Sequence, residues 1–171
     1  AHPHAATNLK TRLVSPTGPT QAPNDKEQVK PMLETLLAQN LRLGKVTGLI
    51  ADTGFCSETN ISACETAGIT PLIAVAKENH HPNWRERHSE PPALPENTTP
   101  VQTMAHRLKP KAGRALYALR KQTVEPVFGI IESVMGFRQF SLRGLTKVSG
   151  EWTLVCLAWN LKRLAVLRLQ E

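Results

Sequence analysis

Asp52 and Glu125 are the two residues of this chain whose type and setting could do chemistry. Asp52 closes the apolar run "KVTGLIAD", and Thr53-Gly54 follow it. Glu125 lies in "ALRKQTVEPVFG", just downstream of Arg120 and Lys121, with Pro126 directly behind it. A carboxylate at the C-terminal end of a parallel strand occupies the edge where α/β sheets place ligands. The glycine two residues later lets a backbone approach closely. Two carboxylates from different elements can share Mg2+, a hard cation that takes a few protein oxygens and then substrate phosphates. Such sites run phosphodiester chemistry with two metals about 3.5–4 Å apart, one activating a nucleophile and one stabilising the leaving oxygen. A plainer reading stands beside it, in which Asp52 begins a turn and Glu125 pairs with Arg120 or Lys121. Pro126 adds a puzzle, because proline inside a helix costs about 3 kcal/mol.

Other chemistry-bearing residues do not combine. His80, His81 and His88 lie in one polar stretch, but no thiolate or paired ligand completes a zinc site of known spacing. Cys56, Cys64 and Cys156 are odd in number, without a CxxC pair, and read as small core or half-buried residues.

The elements that must position the carboxylates follow from periodicity. Residues 1–23 are rich in Pro, Thr and Ala, neither alternate nor repeat, and read as an irregular segment. "PNDKEQVKPMLETLLAQN" predicts the first helix, with Asn24 or Asp25 as cap and Glu27 in capping-box spacing. Val29, Met32, Leu33, Leu36 and Leu37 share one face, and Pro31 predicts a kink or a late start. "KVTGLIAD" predicts a short buried strand. "SETNISACETAG" predicts a helix capped by Ser57 and stopped at Gly68, and "TPLIAVA" a second strand. Strand, helix and strand in about 30 residues make a βαβ unit with a parallel pair. From 77 to 110 the chain is crowded with Pro, Glu, Asn and His and predicts a long surface loop or insertion. Two helical stretches follow at 111–135 and 145–169, joined by the short aromatic and basic "GFRQFSLRG".

Charge is distributed unevenly. Residues 1–106 carry nine Lys/Arg against ten Asp/Glu, whereas residues 107–171 carry twelve against four. The net of +7 therefore arises entirely in the C-terminal part, and a basic face of this kind invites a polyanion. At 171 residues the chain is long enough for one domain, and no stretch approaches the roughly 20 apolar residues that span a bilayer. The N-terminal "AHPHAATNLKTR" lacks the apolar core of a signal peptide. These features predict a soluble, intracellular protein that does not engage membranes.

"IADTGFCSETNISACETAGITPLIA" and, after a gap, "RALYALRKQTVEPVFGIIESVMGFRQFSLRGLTKVSGEWTLVCLAWNLKRL" closely resemble the C-terminal half of bacterial insertion-sequence DDE transposases. The upstream "APNDKEQVKPMLE" resembles them too, so the likeness covers most of residues 22–165. In that family an RNase H-like domain presents two aspartates and a glutamate to Mg2+ and cuts and joins DNA ends. The resemblance implies that Asp52 is the second aspartate and Glu125 the glutamate, both catalytic and both metal ligands. It equates Tyr117 and Arg120 with the tyrosine and arginine that precede the glutamate on its helix. The Glu-Pro pair looks like the family's signature, and a kink at Pro126 would help aim the carboxylate.

The departures from the family are as specific as the match. Glu132 stands seven residues after Glu125, where the family commonly has a lysine, and Phe55 replaces a common tyrosine. The family's first aspartate, from an earlier strand, has no counterpart. The one upstream acid outside the first helix pattern, Asp25, fits a helix cap.

The implied fold class is α/β, a partial RNase H-like fold. It is helix-rich, with a short parallel strand pair, and lacks the N-terminal strands. Residues 24–171 would be the C-terminal part of the catalytic domain. The implied function is that of a truncated transposase with an incomplete Mg2+ site, inactive alone. An alternative is a non-enzymatic DNA binder or regulatory fragment that uses Arg114, Arg120, Lys121, Arg138 and Arg143 as phosphate contacts. Tyr117 belongs to the same DNA-facing set by resemblance. The implied partners are DNA, at transposon ends, and a full-length transposase. The implied location is the bacterial cytoplasm, at the nucleoid.

Overall fold

A computed structural model of the chain describes residues 2–20, 25–39, 44–75, 91, 93–95 and 97–169. The chain forms two compact units. One combines residues 1–23 with 119–171, and the other spans 24–118.

The second unit carries the βαβ arrangement. A 3-10 turn, Asp25–Gln28, leads into α1, Val29–Ala38, which starts without a side-chain cap. The late start follows from Pro31, which lacks an N–H and is tolerated only in the first turn of a helix. Asp25 therefore opens the 3-10 turn and does not cap α1, and Asn24 lies outside the described residues. Strand β3, Gly48–Ala51, pairs in parallel with β4, Thr70–Ile73, in the register Gly48↔Thr70 to Ala51↔Ile73. Between them α2, Glu58–Thr66, starts at Ser57, whose hydroxyl accepts from the Asn60 N–H at 3.1 Å. It stops at Gly68, whose φ of 69° only glycine adopts cheaply.

The stretch 77–110, expected as a loop or insertion throughout, contains a helix. Helix α3, Pro100–Leu108, is closed by a reciprocal capping box between Thr99 and Gln102 and begins with proline at its first turn. Its apolar side supplies Met104, which packs with Ile61 and Ile73 into the core of this unit. The surrounding Pro and Glu hid a period that spans only nine residues. The histidine stretch containing His80, His81 and His88 lies outside the described residues.

In the other unit, the first 20 residues correct the expectation of an irregular N-terminal segment without strands. Strands β1, His2–Thr7, and β2, Val14–Thr20, form an antiparallel hairpin with a bulge between His4 and Ala5. A two-stranded ribbon has only edges, so Pro16 and Pro19 cost no central ladder bond. Among the described residues, these two strands pair only with each other.

Helix α4, Lys111–Ser133, and α5, Leu145–Arg168, match the two helical stretches predicted. Val14, Val127, Ile131, Trp152, Cys156 and Trp159 form the core, with Phe128 stacked on Trp152 at a centroid distance of 5.9 Å. The hairpin is docked on α5 through its backbone. Trp152 and Trp159 donate indole N–H to the carbonyls of His4 and Arg12 at 3.0 and 2.8 Å. The Asn160 amide both accepts from and donates to the Val14 backbone, at 2.8 and 2.7 Å.

Burial raises the thiol pKa of Cys64 to about 11 and of Cys156 to about 12, so both are packing residues at neutral pH. Cys56 is half-buried and likewise raised, with Lys26 opposing the shift. Among the described residues, no helix is long and apolar enough to cross a membrane.

Candidate active site

Asp52 follows β3 directly, at the carboxyl end of the parallel pair, and opens the 3-10 turn Thr53–Phe55. Its Oδ1 accepts the Gly54 N–H at 3.0 Å, so the turn foreseen at this position and a fixed carboxylate coexist. A Cβ added to Gly54 would lie 3.2 Å from Asp52 Oδ1 and 3.3 Å from Asp25 Oδ2. The two carboxylates thus converge over one backbone position, where a side chain would have to push them aside.

Asn60 holds this arrangement from below. Its side-chain amide donates to the carbonyl of Lys26 at 2.7 Å and to that of Phe55 at 2.8 Å. The buried Asn60 in the first turn of α2 therefore ties the 3-10 turn carrying Asp25 to the one carrying Asp52. Sequence reasoning missed both Asn60 and the nearness of Asp25. A usable signal existed for Asn60: it falls four residues before Cys64, on the face that also buries Ile61. Asp25 carried no such signal, because its partner lies 27 residues away in the chain.

In the other unit, Glu125 projects from α4 with its side chain 55% exposed, and its Oε1 lies 3.6 Å from an Arg120 guanidinium nitrogen. The alternative of an Arg120 pair is thus observed. At that exposure the pair contributes on the order of 0.5 kcal/mol, too little to lock the carboxylate. Pro126 sits inside α4, which continues through it. Its missing N–H leaves the Gln122 carbonyl without the usual donor four residues on.

Tyr117 and Arg120 lie three residues apart on α4, and each is half-buried, whereas Lys121 is exposed. Arg138 and Arg143 are exposed in the connection between α4 and α5. That connection is pinned by a residue the sequence did not single out. Glu151 of α5 accepts the backbone N–H groups of Ser141 and Leu142 at 2.8 and 3.0 Å. These bonds hold its carboxyl below the usual carboxylate range.

Asp52 and Glu125 belong to different units, and each is positioned by its own. Among the described residues, neither unit gathers three or more metal-ligating side chains at one point. The donors at Asp25, Asp52 and Glu125 are all carboxylate oxygens, the type that Mg2+ takes. No curated protein and no solved structure matches the chain. The family model described as the transposase DDE domain matches residues 1–161, from the hairpin through most of α5, and the chain belongs to that family.

Proposed function

We propose that this chain is a DNA-binding part of an RNase H-like transposase catalytic domain, with Asp52 and Glu125 as its metal-ligating carboxylates. The observation that carries the reading is the position of Asp52. Within a chain of this family, a carboxylate at the carboxyl end of a parallel strand is oriented by its own turn and by a buried asparagine. Asp52 and Glu125 would each, from its own unit, serve as a ligand to Mg2+, which when bound supplies activation of a nucleophile and stabilisation of a leaving oxygen in phosphodiester cleavage. The chain's own residues do the rest. Tyr117, Arg120, Lys121, Arg138 and Arg143 line up the phosphate backbone of transposon ends, and Glu151 keeps the two loop arginines presented.

Catalysis by this chain alone is absent in this reading. Residues 1–24 contain no Asp or Glu, so the hairpin contributes no carboxylate. A metal pair with one ligating carboxylate missing binds weakly. The partner proposed to supply a further carboxylate is a full-length transposase in the bacterial cytoplasm. The second reading, a DNA binder without chemistry, is favoured by the Arg120–Glu125 pair, which draws Glu125 into the cationic surface.

Two assays on the full chain test this. DNA binding is expected to fall steeply with salt, with little sequence preference, and to weaken on Arg138→Ala and Arg143→Ala. No detectable binding at low salt would sink the DNA reading. Plasmid nicking with Mg2+ is expected to be nil, for wild type and Glu125→Gln alike. Nicking by the wild type that Glu125→Gln abolishes would overturn the incomplete site and make the chain an enzyme by itself.

A further inference from the structure

Helix α5 has two apolar faces and uses one. Trp152, Cys156 and Trp159 are buried against the hairpin and α4. On the opposite side Leu154, Leu157, Leu161 and Leu164 recur at alternating spacings of three and four. They stand 66%, 51%, 60% and 48% exposed. A helix apolar all round is a buried helix, and a 3-4 alternation is the seam by which one helix packs on another.

We infer that this seam joins two copies of the chain, with the two α5 helices antiparallel. The spacing is symmetric under reversal, so Leu154 of one copy faces Leu164 of the other and Leu157 faces Leu161. One patch thus meets itself about a two-fold axis, the commonest form of closed assembly. Charge decides the direction. In the parallel register Lys147 and Arg168 fall on the seam's own heptad positions, and each would meet its like. Reversal takes each cation away from its own copy and sets Arg168 of one copy opposite Gly150 of the other, between that copy's Lys147 and Glu151.

Between Leu154 and Leu164 the seam and its immediate flanks carry no charge. Its exposed flanks are Thr153, Ala158 and Ala165 in a C-terminal part that is otherwise strongly basic. A cavity of about 340 Å³, walled by Met135, Phe137, Leu154, Val155 and Ala158 with Glu151 as its one charged residue, opens at one edge of the seam and adds mainly apolar surface. Eight half-exposed leucines with these walls amount to on the order of 1,000 Å², the size a specific interface must clear.

The experiment is sedimentation velocity on the full chain over a concentration series. It is paired with cross-linking of two single-cysteine additions, Leu154→Cys and Leu164→Cys. Wild type is expected at twice the chain mass. Leu157→Glu with Leu161→Glu is expected at the chain mass, with an unchanged circular dichroism spectrum and melting curve. The two cysteine variants are expected to cross-link when mixed and not separately, beyond the background of wild type. A wild type that stays monomeric at its highest soluble concentration overturns the inference, as does a double variant that stays dimeric. Leu154→Cys cross-linking to itself overturns the antiparallel arrangement. Should the double variant unfold, the cysteine pair still decides.

Discussion

Asn60 donates its side-chain amide to the Phe55 carbonyl at 2.8 Å, across the base of the turn that carries Asp52. A second bond from the same nitrogen reaches the Lys26 carbonyl at 2.7 Å. One buried amide thus fixes two turns whose carboxylates face each other over Gly54. Losing that donor leaves two backbone acceptors in a part-buried setting, where each unmade bond costs about 1–3 kcal/mol. Asn60→Ala is expected to lower the unfolding free energy by roughly 2–4 kcal/mol on that principle. Asn60→Asp, which keeps the shape and loses the donor, is expected to do nearly as much. Chemical denaturation of both variants is the check, and a loss below about 0.5 kcal/mol, the floor for a net hydrogen bond, would remove Asn60 from this role.

Gly54→Ala addresses the carboxylates themselves. Its Cβ would press on Asp52 Oδ1 and Asp25 Oδ2, both at the ends of side chains that can rotate away. The fold is therefore expected to persist, with a stability change under about 1 kcal/mol, less than overpacking a rigid core site costs. The Asp52-to-Gly54 hydrogen bond is expected to be lost. Faster exchange of the residue-54 amide in the variant would show it, and unchanged exchange would mean that the two carboxylates do not crowd this position.

The hairpin depends on α5 for its place. Asn160 makes two bonds to the Val14 backbone, and Trp152 and Trp159 each make one to the hairpin. Asn160→Leu is expected to destabilise the chain by about 2 kcal/mol, since a part-buried N–H and C=O lose their partners together. Limited proteolysis is expected to cut the variant within residues 1–20 first. Cleavage elsewhere before that would show that the hairpin is held by its apolar contacts alone.

Glu151 supplies a pH dependence with a definite sign. Its folded pKa lies below the unfolded value of about 4.3. The bonds to Ser141 and Leu142 are thus fully present above that value and are lost as pH falls through the lowered folded pKa. At neutral pH the loop bearing Arg138 and Arg143 is held. Acidification below about pH 4 is expected to speed exchange of the Ser141 and Leu142 amides beyond the intrinsic rate change. Glu151→Gln is expected to remove that pH step. A step that persists in the variant would assign the transition to another carboxylate.

Much of the framework was legible because it is written locally. Helices α4 and α5, the Ser57 cap, the Gly68 stop and the parallel β3–β4 pair follow from periodicity and from residues within one turn of each boundary. The family match over residues 1–161 agrees with the ancestry read from the motifs around Asp52 and Glu125. Helix α3 shows the limit of local reading. Its Thr99–Gln102 capping box is local too, but nine residues are too few for a period to stand out from a polar, proline-rich surrounding.

Long-range partners settled the remainder. Nothing in "HPHAAT" or "VSPTGPT" alternates, because the hairpin buries little of its own and finds its hydrogen bonds on α5, about 150 residues away. Asp25 looked like a helix cap until Asn60 and Gly54 placed it beside Asp52. Periodicity shows that α5 is apolar on two sides, but only packing shows which side the hairpin covers. A sequence determines by itself what a few neighbouring residues can satisfy. Where a backbone carbonyl or a carboxylate is completed by a side chain far along the chain, the tertiary structure decides.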